Sequence, residues 1–333
     1  MSPLRPVLLH TALLVVGGFV ASIAWSREKT PLSAQETNVT VWTGRPADVQ
    51  RITYEGPGKK IALEAQQEKK GERWFLGTAE RPNLQGPSGD LNTAPKTTIV
   101  FASVTQAKKL AESLAPLKAV RAMGKISASR DAEFGFEKRE SIITVNVGGK
   151  ERKLVIGATA PGGTDSYVID PASNEAYVLK ADVLRDLESG DATRLMEREQ
   201  HDFKDIELTS AKIIAAGKTR KLVRGGQEGK KFWADPGDKD KADETSGNWL
   251  QKIEHLRVSE YAAKPPEGRT EVVRIEYEAG SGNIGFFELA KTPAAEPGQK
   301  ADYWILTEHT HLYGKVFPGS AEQVEQDVPS VVK

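Results

Sequence analysis

Apolar and polar residues alternate along most of this chain with the period of two that is typical of half-buried β-strands. The clearest case runs over residues 143–147, turns at Gly148-Gly149 and returns over 154–156. A two-glycine turn between alternating runs predicts a β-hairpin. The same signal predicts further strands over 51–54, 60–65, 73–76, 167–169, 176–179, 212–216, 220–224, 232–233, 275–277, 284–289, 303–306 and 312–317.

Two segments instead carry apolar residues at the i, i+4 and i+7 spacing of an amphipathic helix. Leu110, Leu114 and Leu117 predict a helix over 105–118, and the same spacing predicts one over 247–257. Segments rich in glycine, proline and charged residues between these elements indicate loops. Short helices are predicted over 181–187 and 320–326, and long polar loops over 77–97 and 235–246.

The order of these elements repeats. Trp74 and Trp233 each close a strand before a polar loop and an amphipathic helix, and alternating strands follow in both places. We interpret this as a tandem duplication with halves at 41–190 and 191–333, although meandering chains can also look self-similar by chance. The predicted fold class is α+β: a mainly antiparallel β-meander body, with a few short helices packed on the sheets.

The N-terminus carries a different pattern. Residues 7–25 contain no Asp, Glu, Lys or Arg over 19 positions, and as a helix they would span about 28 Å, close to the thickness of a bilayer core. We predict a single transmembrane anchor over 1–26 and a polar tether over 27–40, with the body on the extracytoplasmic side of the cytoplasmic membrane. The alternatives are a signal peptide cleaved after the small residues Ser22 and Ala24, or a buried core helix.

Composition excludes several classes of function. The 46 basic and 46 acidic side chains balance, so the chain lacks the positive field expected of a nucleic-acid-binding protein. It contains no cysteine, which excludes disulfides, thiolate metal sites, cysteine nucleophiles and a lipid-modified N-terminal cysteine.

Few residues suggest chemistry. His309 and His311 would share one face of a strand and could bind one metal ion, but we favour solvated residues of a hairpin turn. The glycine clusters do not open a helix as a phosphate-binding loop does. We therefore predict no catalytic, cofactor or metal site, and name Trp304, Tyr303 and Trp42 as a candidate interaction surface.

One block carries a resemblance. An acidic residue precedes an aromatic-glycine turn, and a strand, a glycine-rich hairpin ending in Leu-x-Ile-Gly, a glycine-rich loop and two Tyr-Val strands follow. The matching residues are Glu133-Phe134-Gly135-Phe136, 143–147, 154–157, 161–163, Tyr167-Val168 and Tyr177-Val178-Leu179. This block, within 131–203, resembles the bacterial family called domain of unknown function 4340.

The resemblance implies a membrane-tethered envelope protein encoded beside an ABC transporter of the gliding type. We expect a non-enzymatic accessory or scaffold protein of such a transport complex. Its expected partners are the lipid bilayer, through residues 7–25, and an envelope protein such as the transporter permease. The alternative is a glycan- or peptide-binding module that uses a cleft between the two halves. A hydrolase with an unrecognised site is the third hypothesis.

Overall fold

The structure is a computed structural model, and it describes residues 38–67, 73–82, 96–189, 191–227, 230–280, 282–294 and 298–333. Strands occupy 48% of these residues, and their pairing is antiparallel, as the alternation predicted. Across the described ranges, every helix is too short or too polar to cross a bilayer. The predicted anchor, residues 7–25, lies outside the described residues.

The first half of the chain builds a nine-stranded sheet. The strands of this half are β1 (Val39–Trp42), β2 (Val49–Gly56), β3 (Lys59–Gln67), β4 (Arg73–Pro82), β5 (Lys96–Ser103), β6 (Leu117–Ala119), β7 (Arg121–Lys125), β8 (Ser141–Val147), β9 (Lys150–Thr159), β10 (Ser166–Ile169) and β11 (Glu175–Leu179), and all but β1 and β6 belong to the sheet. The sheet order is β5-β4-β3-β2-β8-β9-β10-β11-β7, and β1 pairs with β6 as a separate ribbon. The helices are α1 (Thr105–Leu114), α2 (Asp131–Phe134) and α3 (Ala181–Glu188), and a connecting segment after them contains α4 (Ala192–Leu195).

The second half builds a second nine-stranded sheet. Its strands are β12 (Ser210–Ala215), β13 (Lys218–Gly225), β14 (Phe232–Asp235), β15 (Asp238–Ala242), β16 (Val258–Tyr261), β17 (Thr270–Ala279), β18 (Gly282–Thr292), β19 (Asp302–Thr307) and β20 (Gly314–Val316), with helices α5 (Glu244–Glu254) and α6 (Pro318–Val331). The order is β15-β14-β13-β12-β17-β18-β19-β20-β16. Strand for strand, it matches the first sheet.

In each half, the chain crosses from one edge of the sheet to the opposite edge after a helix. Helix α1 follows β5 at one edge of the first sheet, and the chain then enters β7 at the opposite edge. Helix α5 makes the same passage from β15 to β16. Trp74 lies in β4 and Trp233 in β14, which are matching strands, so the two tryptophans occupy equivalent places.

Helices and sheets meet over one continuous hydrophobic core that includes residues of both halves. Helix α1 buries Leu110 and Leu114, and α5 buries Trp249 and Ile253. Burying one large apolar side chain stabilises the fold by roughly 1.5–3 kcal/mol. A smaller second cluster, which includes Phe134 and Phe136, packs around α2.

Three predicted helices had wrong boundaries. Helix α1 ends at Leu114, and Leu117 lies in β6. Helix α5 begins at Glu244, three residues early, because the Asp243 side chain accepts a hydrogen bond from Ser246 N at 3.0 Å and caps the helix. The last helix extends over Pro318–Val331.

Both predicted long loops also contain strands. Residues 77–82 continue β4 and 96–97 begin β5, while 83–95 lie outside the described residues. Residues 238–242 form β15, which is exposed at every position. An edge strand that buries no face carries no apolar alternation, so only its pairing with β14 reveals it.

The block that carries the family resemblance has a steric logic. Gly135 has a φ of +75° and lies against the backbone of Ala158. A Cβ on Gly157 would lie 2.3 Å from the carbonyl oxygen of Phe134 and 2.6 Å from the ring of Phe136. The aromatic-glycine turn and the end of Leu-x-Ile-Gly therefore touch each other, and each requires a residue without a side chain.

Candidate functional site: a cleft between the two sheets

A cavity of about 620 Å³ opens between the two halves. The first half contributes the basic residues Arg73 and Lys108, and the connecting segment and second half contribute the acidic residues Asp202, Glu207 and Glu308. The remaining lining residues are Val104, Thr105, Phe203, Ala279, Ile284, His309 and His311. The cleft therefore has walls of opposite charge.

Glu197 joins the halves beside this cleft. Its side chain is buried, and its carboxylate accepts hydrogen bonds from Thr105 N at 2.9 Å, Arg198 N at 3.0 Å and Glu199 N at 3.1 Å. Thr105 is the first residue of α1, so the carboxylate meets the positive end of that helix. The backbone of Glu197 also bonds to both halves, through Ala102 O and the hydroxyl of Tyr261.

His309 approaches the same carboxylate from the second half, with Nε2 3.5 Å from Glu197 Oε2. Burial alone would raise the pKa of Glu197, but His309 and the backbone N–H groups outweigh it and lower that pKa to about 2. Burial likewise opposes the charged form of His309, yet Glu197 raises its pKa above the usual 6.5. Both effects favour an ionised junction pair, Glu197 and His309.

A tight turn over 307–311 presents His309. The Thr307 hydroxyl donates to Gln200 O at 2.6 Å and accepts from His309 N at 3.2 Å and Thr310 N at 3.0 Å. Thr310 Oγ1 accepts from Thr307 N at 3.0 Å. Hydroxyls that satisfy turn N–H groups in this way fix the turn locally.

His311 ends the same turn and stacks on Trp74 of the first half, with ring centroids 4.9 Å apart and planes 8° apart. The two histidines therefore reach different residues, Glu197 and Trp74. No group of three or more metal-binding side chains is found in the described ranges. The expectation of solvated turn residues was wrong for His309, which is only 7% exposed, because the sequence does not reveal that the first half covers this turn.

A third histidine, His201, is fixed nearby. Its Nδ1 lies 2.7 Å from Glu308 Oε1. The other carboxylate oxygen, Glu308 Oε2, accepts a hydrogen bond from Phe286 N at 2.8 Å. The ring stacks on Phe203 at 4.5 Å. A Cβ on Gly285 would lie 2.5 Å from Glu308 and 2.6 Å from Phe203, so that glycine leaves the space this arrangement needs.

The aromatic residues predicted as an interaction surface are not brought together as one. Trp42 is buried and donates to Leu114 O at 2.7 Å, and Tyr303 is buried and donates to Glu325 at 2.6 Å. Both belong to the core, which corrects the prediction for them. Trp304 is half-buried, donates to Thr292 Oγ1 at 3.3 Å and lies beneath the Lys315 ammonium.

Sequence reasoning missed the residues that line the junction, namely Glu197, Gln200, His201 and Glu308. Each is an ordinary polar residue in a segment without periodicity. One weak signal was available, since His201 lies near the end of the resembling block 131–203 and histidine occurs only five times in the chain.

The fold and cleft define an antiparallel two-sheet α+β protein with a polar junction. The model of the family described as "Domain of unknown function (DUF4340)" matches residues 102–272, just over half of the 333-residue chain. The chain belongs to this family, as the resemblance indicated. The matched range runs from the end of β5 to the start of β17, so it includes Glu197 and His201 of the junction but not His309. Searches of curated proteins and of solved structures gave no match.

Proposed function

We propose that this protein is a non-enzymatic accessory or scaffold protein of an ABC-type envelope transport complex, tethered to the cytoplasmic membrane with its body outside the cytoplasm. The observation that carries the proposal is the uncharged 19-residue segment 7–25, which precedes a polar tether and a charge-balanced folded body. A tether raises the local concentration of the body near membrane partners, so weak contacts suffice for binding.

The sheet edges support one docking surface above the others. β5 and β16 pack against each other at the junction, and β15 carries only exposed residues, mostly charged, which discourages strand addition. The remaining outer edge of the two nine-stranded sheets is β7. Among the described residues, no strand pairs with its outer side. Its exposed Arg121 and Lys125 suit an acidic extended segment of a partner.

Membrane fractionation tests the tether. The full-length protein should sediment with membranes and resist high salt, whereas a variant lacking residues 1–26 should be released. Leu14→Arg with Val15→Arg should also release it, because charge in the middle of the segment opposes insertion, while Gln35→Arg in the tether serves as the matched control. Full-length protein found soluble in the cytosol would overturn the proposal.

Crosslinking from membranes tests the partner. An envelope protein such as a permease should be recovered with the full-length chain and lost with Arg121→Glu and Lys125→Glu, while fractionation stays unchanged. The matched control reverses two charges on the β15 edge, Lys239→Glu and Lys241→Glu. Recovery of no envelope protein would reject the accessory role.

We also propose that the two halves, 41–190 and 191–333, arose by tandem duplication. The support is the shared order of nine strands in each sheet and the matching passage of α1 and α5. Relatives that consist of a single half with this strand order would support it. A relative whose second half has an unrelated strand order would contradict it.

A second candidate function is binding of a glycan or peptide in the cleft. The observation that favours it is the 620 Å³ cavity with a basic and an acidic wall, which would orient a dipolar occupant. Peptide and glycan libraries screened by thermal shift should raise Tm for the wild type and less for Lys108→Glu. Lys138→Glu, an exposed lysine outside the cleft, is the control.

A further inference from the structure

A smaller cavity of about 180 Å³ lies beside the cleft and shares Phe203 with it. Gln200, His201, Leu208 and Tyr277 also line it. The charged lining residues are Glu199, Asp205, Glu254 and Arg257.

Two residues of this lining hold buried acceptors that have no hydrogen-bond partner in the described part of the chain. The Gln200 side chain donates from Nε2 to Ile253 O and Leu256 O, at 2.8 Å each, which leaves Oε1 buried with no hydrogen-bond partner among the described residues. Gln200 is 6% exposed. A buried acceptor without a partner is unfavourable, so Oε1 is available to a donor of a ligand.

His201 presents the second acceptor. Its Nδ1 is committed to Glu308, so in the neutral ring the proton lies on Nδ1 and Nε2 accepts. Nε2 is buried, also without a partner in the described part of the chain. Phe203 and Tyr277 pack on the ring, at 4.5 and 5.1 Å between centroids, and hold it in place.

The charges around the cavity favour a cation. Asp205 pairs with Arg224, which lies over Trp233 at 3.9 Å outside the lining, and Arg257 donates to backbone carbonyls. Neither Glu199 nor Glu254 has an ion-pair partner among the described residues. The carboxylates of Glu199, Asp205 and Glu254, set against the guanidiniums of Arg257 and of Arg224 outside the lining, leave one net negative charge.

We propose that this cavity binds the primary ammonium group of a small organic cation. An ammonium group has three donors and no acceptor, which matches two unpartnered acceptors, a negative rim and the aromatic rings of Tyr277 and Phe203. A carboxylate-bearing ligand would meet acceptors and like charge. A water molecule would supply donors but would leave the net charge of the rim uncompensated. The site does not depend on the proposed tether.

Solution NMR of the full-length protein in detergent micelles tests the site with three probes of one shape: n-butylammonium, n-butanol and butyrate. The ammonium should shift the His201 ring nitrogens and the amides of residues 199–208 saturably. Butanol should bind about tenfold more weakly than butylammonium, since it lacks the charge-assisted contact. Butyrate should not bind.

Three variants sharpen the test. His201→Phe keeps the aromatic stacking and should abolish saturation. Glu254→Gln alters only an exposed carboxylate and should weaken ammonium binding several-fold, whereas Glu112→Gln, an exposed carboxylate on α1, should leave it unchanged. Equal binding of butanol and butylammonium, no saturation by butylammonium, or equal affinity of the Glu254→Gln and Glu112→Gln variants would each overturn the proposal. None of these results bears on membrane fractionation, so the two proposals fail separately.

Discussion

Glu197 and His309 meet across the junction of the two sheets, with Oε2 of one 3.5 Å from Nε2 of the other. One lies in the connecting segment and the other in a turn of the second half, and the carboxylate also caps a helix of the first half. A single buried carboxylate therefore couples both halves, and its removal should affect the whole body.

Glu197→Gln should lower the free energy of unfolding by on the order of 3 kcal/mol at neutral pH. The substitution removes the charge that matches Thr105 N–H and His309, while the side chain keeps its size. Urea unfolding measures the loss, and Glu199→Gln, exposed and two residues away, should cost less than about 0.5 kcal/mol. Equal stability of the two variants would show that the charge at Glu197 is unimportant.

The contribution of His309 should depend on pH. Its folded-state pKa is raised, so its stabilising effect is complete below about pH 6.5 and is lost as pH rises through the higher folded pKa. The acidic groups that raise its pKa are Glu197, Asp202 and Glu308.

The difference in unfolding free energy between wild type and His309→Gln should be smaller at about pH 9 than at about pH 6, because the raised pKa of His309 makes its contribution fall as the pH rises. A constant difference would mean that His309 does not change its charge over this range. Below about pH 4.5, stability should also fall, because Glu197 takes up a proton in the unfolded chain while its folded-state pKa of about 2 keeps it ionised in the native protein.

Gly157→Ala should destabilise the first half by several kcal/mol, because its Cβ would lie 2.3 Å from Phe134 O, a backbone atom that cannot move cheaply. Gly247→Ala is the control. Its Cβ meets nothing within 4 Å in helix α5, so it should stabilise the protein by about 0.5–1 kcal/mol. Thermal unfolding measures both, and a neutral Gly157→Ala would contradict the steric reading of the family block.

Trp74 and His311 should couple across the junction. A double-mutant cycle with Trp74→Leu and His311→Leu should give an interaction energy of about 0.5–1.5 kcal/mol, as expected for stacked rings. Trp233→Leu combined with His311→Leu should be additive, because Trp233 lies beneath Arg224 instead. Additivity in the first pair would show that the stacking contributes nothing to the junction.

Much of the fold was readable because local pattern and burial agree. The hairpin of β8 and β9 follows from Ile143, Val145 and Val147, which are buried as their alternation predicted. Helices α1 and α5 follow from their apolar spacing, although Leu117 lies in β6 and not in the helix. β15 was missed because its five exposed residues bury no face, and β5 because its N-terminal half is exposed.

The sequence alone determined the antiparallel strands, the repeated order of elements and the family, since each is read from patterns among residues close together along the chain. The charge balance follows from composition. Only the tertiary structure decided what lies at the junction. It buried Trp42 and Tyr303 and brought His309 to Glu197. It left acceptors of Gln200 and His201 without partners among the described residues. Contacts between residues about a hundred positions apart are set by how two finished sheets pack, and no local spacing encodes that packing.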